Sequence, residues 1–129
     1  MGDAAVRVLG LRHLALKVRD VRAAARFYRE TFGMRVVWQP DEKNVYLSSG
    51  TDNLALHEDA AAGTGGALDH LGFLVGSAED VRAAAGSLRA RGVPIVAEPR
   101  THRDGSVSLY CRDPDGNLVQ VLWLPGIAE

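Results

Sequence analysis

Two histidines occupy matching places in the sequence. His13 begins the segment HLALKV, and His70 begins the segment HLGFLV 57 residues further along the chain. Apolar and polar residues alternate in both segments, which is typical of a strand with one face in the core, and both histidines fall on the polar face. Because imidazole binds divalent transition metals well, the pair predicts a metal site, although a single strand histidine is more often a structural hydrogen-bonding group.

The sequence around these histidines repeats in the same order. VRAAA occurs at residues 21–25 and again at 81–85, and the segment GMRVV that begins at Gly33 is echoed by GVPIV from Gly92. The offsets between matching segments stay between 57 and 60 residues, which is hard to obtain by chance. An internal repeat of this length predicts two copies of one structural unit.

Each unit has the pattern of one strand, one helix and three further strands. Asp20 and Ser77 are suitable N-caps for helices that end at the two glycines. Between the units, the segment AAAGTGG is small and flexible, as expected of a linker. We therefore expect an α+β fold in which two tandem βαβββ modules share a core as a single domain over 1–129. The predicted boundaries are about 10–59 for module one, 60–66 for the linker and about 67–124 for module two.

The composition excludes several classes of function. The 129 residues are 47% hydrophobic and 24% charged, which is ordinary for a globular protein. A formal net charge of −1 argues against a nucleic-acid partner. No apolar run approaches the ~20 residues of a membrane span, and the N-terminus lacks the pattern of a signal peptide. Cys111 is the single cysteine and cannot form an intrachain disulfide, which favours a reducing cytoplasm.

Further motifs accompany the two histidines. They are Phe27-Tyr28 with Phe32-Gly33 in the first helix, and Tyr110 followed by Asp113-Pro-Asp-Gly-Asn117 before the last strand. With these motifs the chain resembles, over about 11–124, the vicinal oxygen chelate superfamily of glyoxalases, bleomycin resistance proteins and extradiol dioxygenases. The resemblance implies a cupped, mixed eight-stranded sheet with the helices on its outer face. It also implies a homodimer and a small-molecule substrate.

The resemblance also implies a set of metal ligands. The family's divalent ion is typically held by histidines on strands one and five and a glutamate on strand eight. His13 and His70 match the first two positions, but the third position is Gln120. Loss of the carboxylate weakens metal binding, while the amide oxygen can still act as a ligand. We expect Fe, Mn, Ni or Zn at His13, His70 and Gln120.

His57 on the fourth strand is a further candidate for the site. Alternation in LALHE places Leu54 and Leu56 in the core and His57 on the polar face, where it would bind substrate, add a ligand or act as an acid or base. The register remains open, because a slip of one residue reverses every face. Aligning Asn53 with Asn117 would instead place Leu56 opposite Gln120.

Two residues before the last strand are candidates for proton transfer. By resemblance, Tyr110 matches the active-site tyrosine of extradiol dioxygenases, and His102 lies close to the position of a second histidine in those enzymes. Both residues also have a structural interpretation, as packing and hydrogen-bonding groups. Cys111 is expected to face away from Tyr110 and to be inert.

These residues leave several functions open. The first is a metal-dependent enzyme of the dioxygenase type or the glyoxalase-like lyase type, which binds substrate through two adjacent oxygens. The missing glutamate counts against a true glyoxalase I. The alternative is a metal-free protein that binds a small molecule or an antibiotic, as bleomycin resistance proteins do. A thiol transferase acting on a phosphonate antibiotic would need an anion pocket, which the scattered arginines do not predict.

Overall fold

The computed structural model describes residues 4–127, and it confirms the α+β class and the two βαβββ modules. In module one the elements are β1 (His13–Val18), α1 (Val21–Phe32), β2 (Arg35–Asp41), β3 (Asn44–Ser48) and β4 (Asn53–Glu58). In module two they are β5 (Leu71–Leu74), α2 (Ala78–Ala90), β6 (Ile95–Thr101), β7 (Val107–Arg112) and β8 (Leu118–Trp123).

The eight strands form two sheets of four with the same topology. Sheet A has the order β1-β4-β3-β2, and sheet B has the order β5-β8-β7-β6. In each sheet the first strand pairs parallel with the last strand of its module, and the other pairings are antiparallel. The first strand of each module therefore lies at an edge, with its histidine at or next to the start of the strand.

Both helices begin at the caps that the sequence indicates. The Asp20 side chain accepts hydrogen bonds from the backbone N–H groups of Arg22 and Ala23, and Ser77 accepts one from Asp80. Helix α1 ends at Gly33, whose φ of 69° is strained for any residue with a side chain. Helix α2 ends one residue before the predicted stop, because Arg91 serves as its C-cap.

The two modules share one cluster of buried apolar side chains. Alternate residues of the inner strands point into it, among them Leu56 of sheet A and Leu109 of sheet B, which are both fully buried. Helix α1 packs on sheet A and also contacts module two, where its Phe32 stacks on Phe73 with ring centroids 4.2 Å apart. Among residues 4–127 no helix is long and apolar enough to span a membrane.

Candidate metal-binding site

The faces of the sheets that point away from the core carry every residue predicted for the site except His102, which follows β6. We call them open face A and open face B. Alternation and register assign to open face A His13, Ala15, Lys17, Asn44, Tyr46, Asn53, Ala55 and His57. Open face B carries His70, Gly72, Leu74, Ser108, Tyr110, Arg112, Leu118, Gln120 and Leu122.

His13 is held by a neighbour in the parallel strand. The register pairs it with Asn53, and its Nδ1 lies 2.9 Å from the Asn53 Oδ1. Since an amide oxygen only accepts hydrogen bonds, Nδ1 carries the proton and donates it. Nε2 is then the ring nitrogen left available for a metal or a substrate on the exposed side chain.

His70 is held in the same way by a different kind of group. Its Nδ1 lies 2.6 Å from a carboxylate oxygen of Asp69, the preceding residue. The Tyr110 ring meets the imidazole edge-on, with centroids 5.3 Å apart. The proton again belongs on Nδ1, so His70 also presents Nε2 to its surroundings. The structure therefore brings together His70 and Tyr110.

Gln120 lies on β8, the strand between β5 and β7. It pairs with Gly72 on one side and with Tyr110 on the other. A Cβ atom added to Gly72 would lie 3.5 Å from the Gln120 Oε1. The Gln120 amide therefore extends over Gly72 toward the edge strand β5. Gln120 is 9% exposed. Among residues 4–127, every fully buried polar side-chain atom has a hydrogen-bond partner. The Gln120 amide therefore retains access to the open face.

The three predicted ligands are of types that bind divalent metals, but the structure places them on different faces: His13 on open face A, and His70 and Gln120 on open face B. Two imidazole Nε2 atoms and one amide oxygen are acceptable ligands for the later first-row metals. Within residues 4–127 there is no cluster of three or more His, Cys, Asp or Glu side chains that could hold a metal. The candidate site therefore depends on the two histidines and Gln120, with no carboxylate among its ligands.

Open face A places His57 in a small aromatic cluster. Its Nδ1 lies 2.6 Å from the Asn44 Oδ1, and because the Asn44 Nδ2 donates to Asp41, the amide oxygen is free to accept. The Tyr46 ring meets His57 at 5.8 Å and Trp38 at 4.9 Å. Trp38 is 58% exposed, which leaves the indole ring of this cluster accessible to an aromatic ligand.

The register of sheet A answers the question that the sequence left open. Ala15 and Tyr46 both pair with Ala55, just as Gly72 and Tyr110 both pair with Gln120. Ala55 is thus the counterpart of Gln120, and the alignment that placed Leu56 there is wrong. His57 lies on the open face as the alternation predicts, two residues beyond the counterpart of Gln120.

His102 lies in the loop after β6 and contacts the strand that carries Tyr110. Its Nε2 is 2.6 Å from the hydroxyl of Ser108, which lies two residues from Tyr110 on the same face. The backbone N–H of His102 donates to the carbonyl of Ser106, and the His102 carbonyl accepts from the N–H of Gly105. Hydrogen bonds from the Ser106 hydroxyl and backbone lower the pKa of Asp104 in this turn.

Cys111 points into the core, as the alternation with Tyr110 predicts. Burial raises the pKa of its thiol to about 11, with a smaller contribution from the nearby Asp113 carboxylate. A protonated, enclosed thiol is a poor nucleophile and a poor metal ligand. Cys111 therefore takes no part in the candidate site.

A cleft of about 360 Å³ opens where sheet B meets the connection between the modules. Asp69, Leu118 and Arg112 line it together with the glycines of the connection. The guanidinium of Arg112 donates to the backbone oxygen of Gly116 at 2.7 Å, which fixes one wall of the cleft.

The residues that hold the histidines differ in how visible they are in the sequence. Asp69 is an acidic residue directly before His70, which is a local signal for such a contact. Asn53 lies 40 positions from His13, and only the parallel register of β1 and β4 brings them together. Asn44 was likewise hidden, since its contact with His57 depends on the antiparallel pairing of β3 and β4.

Comparison with known proteins identifies the class to which this fold and these open faces belong. The family model for the Glyoxalase/Bleomycin resistance protein/Dioxygenase superfamily matches residues 10–121. The chain therefore belongs to that superfamily, which confirms the resemblance seen in the sequence.

Individual relatives support the same assignment. Virulence protein STM3117 of Salmonella typhimurium is 31% identical over 119 residues, which cover 84% of this chain and 80% of that protein. Lactoylglutathione lyase of Arabidopsis thaliana is 29% identical over 85% of this chain, but the match spans only 42% of that longer protein. The crystal structure of lactoylglutathione lyase from Agrobacterium tumefaciens superposes with a TM-score of 0.78 at 28% identity, covering 93% of this chain and 98% of that one.

Proposed function

We propose that this protein is a metal-dependent enzyme that binds a small substrate through two adjacent oxygens. The observation that supports the proposal is the matched pair of histidines: both engage Nδ1 in a hydrogen bond and leave Nε2 free, His13 on open face A and His70 on open face B. We propose that the two faces meet, in one chain or across two chains, and bring these atoms to one ion. Gln120, with its amide directed over Gly72, supplies the third ligand. A divalent ion bound there would polarise the two substrate oxygens and stabilise negative charge on them.

We propose that two residues take part in proton transfer, Tyr110 on open face B and His102 in the loop after β6. Tyr110 contacts His70 edge-on, so its phenol belongs to the same site as the proposed ligand. His102 reaches that strand through Ser108 and extends the polar network to the loop after β6. We propose that Tyr110 exchanges a proton with bound substrate and that His102 acts next to it. His57, with the aromatic cluster on open face A, binds the remainder of the substrate.

The chemistry of the ligands favours a dioxygenase-type reaction over a lyase of the glyoxalase type. A glyoxalase-like proton abstraction needs a strong base at the metal, and both Gln120 and its counterpart Ala55 lack a carboxylate. The relatives named lactoylglutathione lyase support an enzyme of this superfamily, while Gln120 and Ala55 separate this chain from that reaction. Fe, Mn, Ni and Zn are the metals that suit imidazole and amide ligands.

We also propose a homodimer. Apolar side chains remain exposed on β2, where Val36 and Val37 are 43% and 53% exposed, and on open face B at Leu74. Burial of such a surface against a second copy would stabilise a dimer and narrow the open faces into a cup. Light scattering should give twice the chain mass, and a monomeric mass at micromolar concentration would refute the dimer.

Metal content is the test of the proposed function. Protein purified without a histidine tag should contain, or take up on incubation, about one divalent ion per chain by elemental analysis. His13→Ala and His70→Ala should each lose it, whereas His102→Ala should retain it. A wild-type protein that stays empty with Fe, Mn, Ni and Zn would overturn the metalloenzyme and favour a metal-free binding protein.

A further inference from the structure

The two proposed ligand histidines are held by groups that differ by one unit of charge. His13 donates its Nδ1 proton to the neutral amide of Asn53 at 2.9 Å, and His70 donates its own to the carboxylate of Asp69 at 2.6 Å. Both contacts fix the same ring nitrogen at equivalent positions of the repeat. One proposed ligand histidine is therefore hydrogen-bonded to a charged group, and the other is hydrogen-bonded to a neutral one.

We infer that Asp69 is a positioning residue for His70, and that it supplies from outside the ligand set the negative charge that Gln120 lacks. This inference rests on the proposed metal site. A carboxylate behind a ligating imidazole fixes the tautomer and makes the ring a stronger donor. The proposed ligands, two imidazoles and an amide, carry no net charge. The Asp69 carboxylate, which is hydrogen-bonded to His70, would be the negative charge connected to the metal through one of its ligands.

The exposure of Asp69 to solvent limits how much its carboxylate can strengthen metal binding. Its side chain is 88% exposed, so water screens its charge, and His70 itself is 33% exposed. The hydrogen bond, however, transmits the effect through the ring and does not depend on charge across solvent. We therefore expect the lower end of the 10- to 100-fold range that is typical of such supporting groups, about tenfold in metal affinity.

Two substitutions at one position separate the hydrogen bond from the charge. Asp69→Asn keeps an oxygen that accepts the Nδ1 proton but removes the charge, while Asp69→Ala removes both. Nitrogen-15 NMR of the metal-free protein at pH 8, where ordinary imidazoles are neutral, reports which ring nitrogen carries the proton. Asp69→Asn should leave His70 protonated on Nδ1. Asp69→Ala should move it toward the Nε2-protonated form, while the His13 signals stay unchanged.

Calorimetric titration with Ni²⁺ then measures the effect of the charge. Asp69→Asn should weaken binding about tenfold, and adding Asn53→Asp in the same chain should recover most of that loss by placing a carboxylate behind His13. Glu79→Gln is the matched control, since it removes one exposed carboxylate from α2 without touching either histidine. Its affinity should equal that of the wild type.

The results distinguish this inference from the proposed function. Wild-type affinity in Asp69→Asn, or an unchanged His70 tautomer in Asp69→Ala, would overturn the role of Asp69 while leaving the metal site intact. A wild-type protein that binds no Ni²⁺ or other divalent metal would overturn the metal site and with it the charge role of Asp69. The tautomer measurement needs no metal, so it decides the positioning of His70 in either case.

Discussion

The hydroxyl of Tyr28 donates a hydrogen bond of 2.8 Å to the carboxylate of Asp113, and this bond joins the two modules inside the core. Tyr28 is fully buried and Asp113 is 5% exposed. The same carboxylate accepts from the Asn117 amide and from the backbone of Asp115 and Asn117, so it closes the turn before β8 while it binds α1. The turn that leads to Gln120 is thereby anchored to the other half of the chain.

Tyr28→Phe should therefore destabilise the whole fold. Hydrogen bonds to charged groups contribute about 1.5–3 kcal/mol, and the free energy of unfolding in urea should fall by that amount. Tyr46→Phe serves as the control because Tyr46 is half-buried on open face A, and its effect should stay within about 0.5 kcal/mol. Equal losses in the two variants would show that the bond between the modules contributes nothing specific.

The stability of the protein should decline at alkaline pH because of two buried groups. Burial, followed by the charge of Asp113, raises the pKa of Tyr28 well above its ordinary value, and burial raises that of Cys111 from 9.0 to about 11. A raised pKa in the folded state means that both groups ionise more readily when unfolded. The contribution of these two protonated groups to the free energy of unfolding is thus complete below pH 9 and is lost as the pH rises toward 11 and beyond.

Urea unfolding at a series of pH values checks this dependence. The free energy of unfolding of the wild type should fall between pH 9 and pH 11, and Cys111→Ala should lose less over that interval because one of the two groups is gone. Absorbance of phenolate should show that one of the three tyrosines ionises only as the protein unfolds. A flat stability profile up to pH 11 would contradict the burial of both groups.

The faces of the strands were predictable, but their partners were not. Alternation with a period of two places Leu16, Leu56 and Cys111 in the core and His57 on an open face without any knowledge of pairing. The contact between His13 and Asn53 depends on register, which is set by the packing of the whole sheet. The bond between Tyr28 and Asp113 spans 85 residues, a separation over which a local pattern carries no information.

Gln120→Glu should tighten metal binding. A carboxylate among the ligands adds a negative charge next to the ion, and we expect an increase in Zn²⁺ affinity of about tenfold or more. Gln39→Glu adds the same charge on the exposed strand β2 and should leave the affinity unchanged in calorimetric titration. If Gln120→Glu reduced stability without a change in Zn²⁺ affinity, Gln120 would not be a ligand.

Open face A should bind an aromatic compound with two adjacent oxygens. Catechol is a simple probe, and stacking on Trp38 and Tyr46 should quench tryptophan fluorescence. The experiment uses the Trp123→Phe background, in which Trp38 is the single remaining tryptophan. His57→Ala should weaken binding about tenfold through loss of one hydrogen bond. Quenching that is unaffected by His57→Ala would separate His57 from the substrate site.

Anomalous diffraction from crystals soaked in Zn²⁺ tests most directly the claim that His13, His70 and Gln120 hold a divalent ion. We expect one strong peak at the zinc absorption edge, about 2.0–2.1 Å from the Nε2 atom of each histidine, with the Gln120 oxygen as a further ligand. This prediction is the same whether one chain or two chains of the proposed dimer supply the histidines and Gln120. A peak elsewhere, or none at these residues in crystals saturated with Zn²⁺, would contradict the account.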